Sequence, residues 1–193
     1  AGQCTIATDV GQHQMWETQY FQHIRRNQLL TSGGLGTMGF ALPASIGAKL
    51  GRPDDEVWAV AGDGGFQMSI PEMATIMQEN LNIKIAVINN HYLGMVRQWQ
   101  DLMHNKRYSQ TQIWSPDFRM LARAYGMPGL YATTQSEARE VIAQARAHDG
   151  PVLCEFMVEP EMNVFPMVMP GKALSDMARR QPAALGTGFD SVK

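Results

Sequence analysis

The chain has 193 residues, enough for one domain with a sizeable core and few enough that a second full domain is not expected. With 16 basic against 18 acidic residues the net charge is −2, which gives no electrostatic footprint for nucleic acid or an anionic membrane. Hydrophobic residues make up 45%, an ordinary share, and no run reaches the roughly 20 apolar residues that a membrane span needs. The two cysteines, Cys4 and Cys154, sit in apolar runs without a CxxC and read as small hydrophobes in a reducing, cytoplasmic protein. Ala1 rather than Met stands first and no signal or transit segment is visible, so the expectation is a piece of a larger chain.

Short β-rich runs alternate with longer helical ones. The first strand is predicted at Cys4–Val10 and a helix at Gln14–Gln22. A strand at Gln28–Ser32 precedes a helix at Gly39–Leu50. The runs Glu56–Gly62 and Ile83–Asn89 (VWAVAG, IKIAVIN) are continuously apolar, as strands covered on both faces are. Between them lies a predicted helix Pro71–Asn80, with Ser69 and Glu72 at capping-box spacing. Helices Gly94–His104 and Pro116–Tyr125 follow, the second with Ser115 as N-cap and Gly126 as its stop. Strand Gly129–Thr133, helix Glu137–His148 capped by Ser136, and strand Pro151–Val158 complete the pattern. Residues 159–193, rich in proline and glycine, read as a C-terminal arm or tail, disordered near its end or ordered by a partner; residues 1–158 form the domain. The fold class is α/β: an open, mostly parallel sheet with helices on both faces.

In such sheets ligands bind outside the carboxyl ends of the strands. Those ends read DVGQHQ (Asp9–Gln14), SGGLGTMG (Ser32–Gly39), GDGG (Gly62–Gly65) and NNHYLG (Asn89–Gly94), all rich in glycine or in oxygen and nitrogen ligands. The opposite ends, such as GRPDDE, look like solvated turns. If the strands before Asp63 and Asn90 are neighbours, a carboxylate and an amide oxygen converge, a donor set suited to Mg shared with phosphates. Gly64 and Gly65 would let backbone N–H groups approach a phosphate, aided by the following helix N-terminus at Ser69. Taken singly, GDGG and NN are tight turns. A dinucleotide site is weakened because no GxGxxG follows the first strand.

Together, GDG and NN about 25 residues apart resemble the thiamine-diphosphate signature. DVGQHQMW, TSGGLGTMGFALPA, GDGGFQMSIPEMAT, INNHYLGMVRQWQ and VFPMVMPG, in that order, resemble the acetolactate (acetohydroxyacid) synthase family from Cys4 to about Met177. One departure is the stretch Asn90–Leu93, where some members carry acidic or glutamine residues; a backbone carbonyl survives such change.

The resemblance implies a thiamine-diphosphate-binding fold, with Asp63, the Asn90 side chain and the Tyr92 carbonyl as Mg ligands. Gly11, Gln12 and His13 would contact the diphosphate, beside Gly62, Gly64 and Gly65. Gly36 would accept a hydrogen bond from the aminopyrimidine and Met38 would wedge the cofactor into a bent shape. Leu93, Gly94, Met95 and Val96 would line its other side, and Trp99 the substrate channel. On residues alone, Met95 and Trp99 are i, i+4 neighbours that a core stripe would explain equally well.

The implied reaction condenses pyruvate with a second 2-ketoacid, pyruvate or 2-ketobutyrate, with loss of carbon dioxide, in branched-chain amino-acid biosynthesis. The implied full-length enzyme also carries FAD, is a homodimer or tetramer, and has a small regulatory subunit as a candidate partner. The family's activating glutamate belongs to a separate N-terminal domain, so this chain alone would catalyse little. A glyoxylate carboligase, a sulfoacetaldehyde acetyltransferase and a non-catalytic binding module remain open as alternatives.

Overall fold

A computed structural model gives the structure over residues 3–179; the end of the expected arm, with Pro182, Gly186 and Gly188, lies outside the described residues. Six strands, β1 (Cys4–Thr8), β2 (Leu29–Thr31), β3 (Glu56–Gly62), β4 (Ile83–Asn89), β5 (Gly129–Ala132) and β6 (Val152–Met157), form one sheet in the order β2-β1-β3-β4-β6-β5. Every pair is parallel, so all carboxyl ends lie on one edge. β3 and β4 are central neighbours with Gly62 opposite Ile88, and Asp63 and Asn90 therefore leave adjacent strands at nearly the same level.

Helices α1 (Gln12–Tyr20), α2 (Ala41–Gly51), α3 (Asp63–Gln67), α4 (Glu72–Gln78), α5 (Gly94–Met103), α6 (Phe118–Ala124) and α7 (Gln135–Ala147) supply the crossovers. One face of the sheet (Val57, Ala59, Ile83, Ile85, Val87, Leu153) packs against Leu42, Phe66, Met73, Ile76 and Phe118. Phe66 and Phe118 are fully buried and meet edge-on at 5.4 Å, each worth roughly 1.5–3 kcal/mol in buried area. The other face packs Val152 and Cys154 against Val141 and Ala145 of α7. β4 is buried almost throughout, but β3 alternates: Trp58 and Val60 are only half covered. Lys84 is buried within β4 and donates to the carbonyls of His148 (2.7 Å) and Gly150 (2.6 Å), which satisfy its ammonium.

Three caps differ from the sequence reading. Ser69 does not cap α4: turns continue from α3, the Ser69 carbonyl accepts from Glu72 N–H, and Pro71 occupies the N-cap. Thr134, not Ser136, caps α7, in a reciprocal capping box with Glu137. Asp117, not Ser115, caps α6, accepting from the N–H groups of Arg119 and Met120. At the amino edge of the sheet, Asp55 of GRPDDE is buried rather than solvated, held by Thr5 Oγ1 (2.7 Å) and Arg25.

The near part of the expected arm is held by this chain itself. The Met162 carbonyl accepts from Gln12 Nε2, Val164 N–H donates to Gln98 Oε1 (2.8 Å), and Val164 and Met167 are buried. Among the described residues no helix is long and apolar enough to cross a membrane.

Candidate functional site

At the carboxyl edge a cleft of about 180 Å³ opens between β1, β3, β4 and the loop after β2. It is lined by Gly11, Gln12 and His13 from α1, Gly36 and Met38 from the β2–α2 loop, and Gly62, Asp63, Gly64 and Gly65 from the β3–α3 junction. Asn90, Tyr92, Leu93, Gly94, Met95 and Val96 line its other side. Trp99 does not line it; it is half-buried on α5, one turn beyond Met95. Val10, Trp16, Ile88 and Val158 also border the cleft and were not singled out from the sequence.

The GDGG segment is a helix start, not a loop. α3 begins at Asp63 itself, so its first N–H groups, not those of a helix after Ser69, face the cleft. Glycines are poor helix formers, and the turn forms because Phe66 docks fully in the core. Asp63 is 1% exposed, and burial raises its carboxyl above the usual range, offset in part by the hydroxyl of Ser115, which donates to Oδ2 at 2.7 Å. Among the described residues no cationic side chain pairs with it.

The two asparagines divide their work. Asn89 is buried and structural: its amide donates to Glu155 Oε1 (2.8 Å) and its oxygen accepts from His91 N–H. Asn90 faces the cleft, its oxygen accepting from Tyr92 N–H (3.0 Å) and its amide donating toward Gln12 Oε1 (3.4 Å). His91 takes a left-handed φ of 58°, which turns the chain so that Tyr92 comes back to the cleft. At Gly94 an added Cβ would lie 2.3 Å from Gln12 Oε1 and 2.8 Å from Asn90 Nδ2, so only glycine admits this pairing.

His13 is buried between Gly11 and Gly62, with a Cβ at either glycine falling 3.0 Å from its Cε1. Its Nε2 accepts from Gly62 N–H (3.2 Å), which assigns the proton of the neutral ring to Nδ1. Burial lowers its pKa to about 4, against a smaller opposing pull from Asp9. A histidine neutral in the fold but protonated near 6.5 when unfolded contributes stability above that pH, and the contribution is lost as the pH falls toward 4. Urea unfolding at about pH 7, 5.5 and 4.5 should therefore show a steeper acid loss for the wild type than for His13→Gln; parallel profiles would contradict a buried neutral imidazole.

Asp9 stands directly after β1. It is wholly buried, and its carboxylate accepts from the N–H groups of Val10 (2.9 Å), Gly39 (3.0 Å) and Ala41 (3.1 Å). It thus ties the end of β1 to the first turn of α2, whose dipole favours the negative charge. Its signal in the sequence is an acid directly after a buried strand. Among the described residues no three His, Cys, Asp or Glu side chains gather round one point. A cation in this cleft would rely on Asp63 with amide, carbonyl and ligand oxygens, the donor chemistry of Mg shared with phosphates.

Residues 9–156 match the family described as "Thiamine pyrophosphate enzyme, C-terminal TPP binding domain". The chain belongs to this family. It is 43% identical over 178 residues to the "Acetolactate synthase isozyme 2 large subunit" of Escherichia coli K12, an alignment covering 92% of this chain and 32% of that protein. It is 49% identical over 168 residues to an "Acetolactate synthase" of Mycobacterium bovis, covering 84% and 27%. With the "Acetolactate synthase large subunit" of Cyanidium caldarium it shares 44% over 174 residues, covering 89% and 30%. The chain spans about a third of the length of these relatives. The cleft at the carboxyl edge of this domain is bordered by Asp63 and the start of α3.

Proposed function

We propose that this chain is the diphosphate-binding part of an acetolactate synthase, which joins pyruvate to a second 2-ketoacid with loss of carbon dioxide. The observation that carries the reading is a buried carboxylate, Asp63, that has no cation partner among the described residues and shares a glycine-walled cleft with Asn90 in a chain of this family. The relatives' names, acetolactate synthases, support the family of the reaction, and its two ketoacid substrates are what the sequence resemblance implies.

In this reading Asp63, the Asn90 side-chain oxygen and the Tyr92 carbonyl would hold Mg, whose charge would offset part of that of Asp63 and the diphosphate. Backbone N–H groups of Gly64 and Gly65 donate to phosphate oxygens at the helix start. Gln12 holds Asn90 in orientation, and Gln98 holds Gln12 from behind (2.9 Å). Met38, Leu93, Met95 and Val96 form the apolar side of the cleft, Gly36 offers its carbonyl to the aminopyrimidine, and Trp99, outside the cleft lining on α5, is assigned to the acceptor channel. Bound there, the cofactor supplies the electron sink that lets one 2-ketoacid lose carbon dioxide and attack another. The activating glutamate and most FAD contacts belong to domains outside this sequence; the active site needs two subunits, so the complete cytoplasmic enzyme is at least a dimer, with a small regulatory subunit as a candidate partner, and the chain alone is expected to be nearly inactive.

The test is product analysis on the complete protein with pyruvate alone, pyruvate plus 2-ketobutyrate, glyoxylate, and sulfoacetaldehyde. Acetolactate and acetohydroxybutyrate are the expected products. Turnover of glyoxylate or sulfoacetaldehyde in preference to pyruvate would move the assignment to another carboligase, and no turnover at all to a binding module.

A further inference from the structure

Ser115 sits two residues before the N-cap of α6, where Asp117 already satisfies the helix, so its hydroxyl is spare. That hydroxyl crosses 52 positions of sequence to donate to Asp63 Oδ2 at 2.7 Å. The short segment carrying it is bound to both sides of the cleft. Leu93 N–H donates to the Thr111 carbonyl (2.7 Å), Ile113 N–H donates to the His91 carbonyl (2.9 Å), and Tyr92 and Gln112 form an antiparallel bridge. On the other side Gln67 Nε2 donates to the Trp114 carbonyl (3.3 Å). Residues 111–115 therefore form a strap from the Asn90–Leu93 turn to the start of α3, with Ser115 as its last contact.

We infer that Ser115 is a positioning residue for the cation site: it occupies one carboxylate oxygen of Asp63 and leaves the other to the metal, while its strap fixes the Tyr92 carbonyl. The inference rests on the assignment of Asp63 as a metal ligand. A hydroxyl fixed on Oδ2 favours one-oxygen ligation, which suits compact octahedral Mg; a released carboxylate could offer both oxygens to a larger cation such as Ca. Ser115 touches neither cofactor nor substrate in this account.

The experiment compares wild type, Ser115→Ala, Ser115→Thr and Ser115→Val in the complete protein. Mg and, separately, Ca are titrated at fixed thiamine diphosphate, with cofactor binding followed by calorimetry. Thr and Val share a shape and differ in the hydroxyl, so their comparison stands even if the alanine variant folds poorly. Ser115→Ala and Ser115→Val are expected to weaken Mg by about 10–100-fold, and Ca by less, with Ser115→Thr close to wild type. Equal Mg affinity across all four, or equal weakening by Thr and Val, overturns the inference. Absence of Mg-dependent binding in the wild type overturns the metal assignment instead.

Discussion

Asp63→Ala should reduce Mg-dependent thiamine diphosphate binding by more than about 100-fold, since loss of a direct ligand exceeds the 10–100-fold typical of outer partners. The side chain removed is a buried carboxylate at the junction of β3 and α3. Its removal should not unfold the domain, because burying it without a cation is itself unfavourable and the core beneath, centred on Phe66, is untouched. Asp63→Ala is thus expected to keep or slightly raise the melting temperature of the cofactor-free protein while losing the stabilisation that cofactor adds. Calorimetry and thermal melting, each with and without Mg and cofactor, check both halves. A large loss of cofactor-free stability would recast Asp63 as a structural residue.

Gly65→Ala should be among the most damaging single-methyl additions in the chain. A Cβ there would lie 2.3 Å from Asp9 Oδ1 and 2.9 Å from its Cγ. The carboxylate cannot step aside without giving up hydrogen bonds from Val10, Gly39 or Ala41. Overpacking combined with loss of a charged hydrogen bond costs about 3 kcal/mol. Asp9→Ala alone should cost a similar amount, because it strands buried N–H groups. The double variant should lose clearly less than the sum, since without the carboxylate the methyl has room. Urea unfolding of the four proteins measures this directly, and simple additivity would contradict the proposed clash.

Much of this could be read from the residues, for identifiable reasons. β3 and β4 are apolar runs ended by GDG and NN, and their predicted bounds match the structure to the residue. The parallel pairing follows from strands separated by one or two helices, which also gathers the carboxyl ends on one edge. All fifteen residues expected to touch cofactor line one cleft, because each lies within a few positions of a strand's carboxyl end.

What stayed hidden depends on contacts distant in sequence. α3 has two glycines in five residues and forms through the docking of Phe66, which no local pattern announces. Ser115 followed by proline looks like a helix cap, and only the folded chain shows that its hydroxyl is directed to Asp63. Asp9 resembled one more polar residue in a ligand-rich loop, while its carboxylate organises two loops. Residues 162–167 lie in the expected C-terminal arm, and Gln12 and Gln98, both on helices far back in the chain, hold the backbone of Met162 and Val164.

The most direct test of the central claim is a calorimetric titration of thiamine diphosphate into the complete protein, once with Mg and once with EDTA. The account predicts saturable binding with Mg and little or none with EDTA. Binding of equal strength in both would remove the metal from Asp63 and Asn90, and absence of binding in both would contradict the assignment of the cleft to the diphosphate.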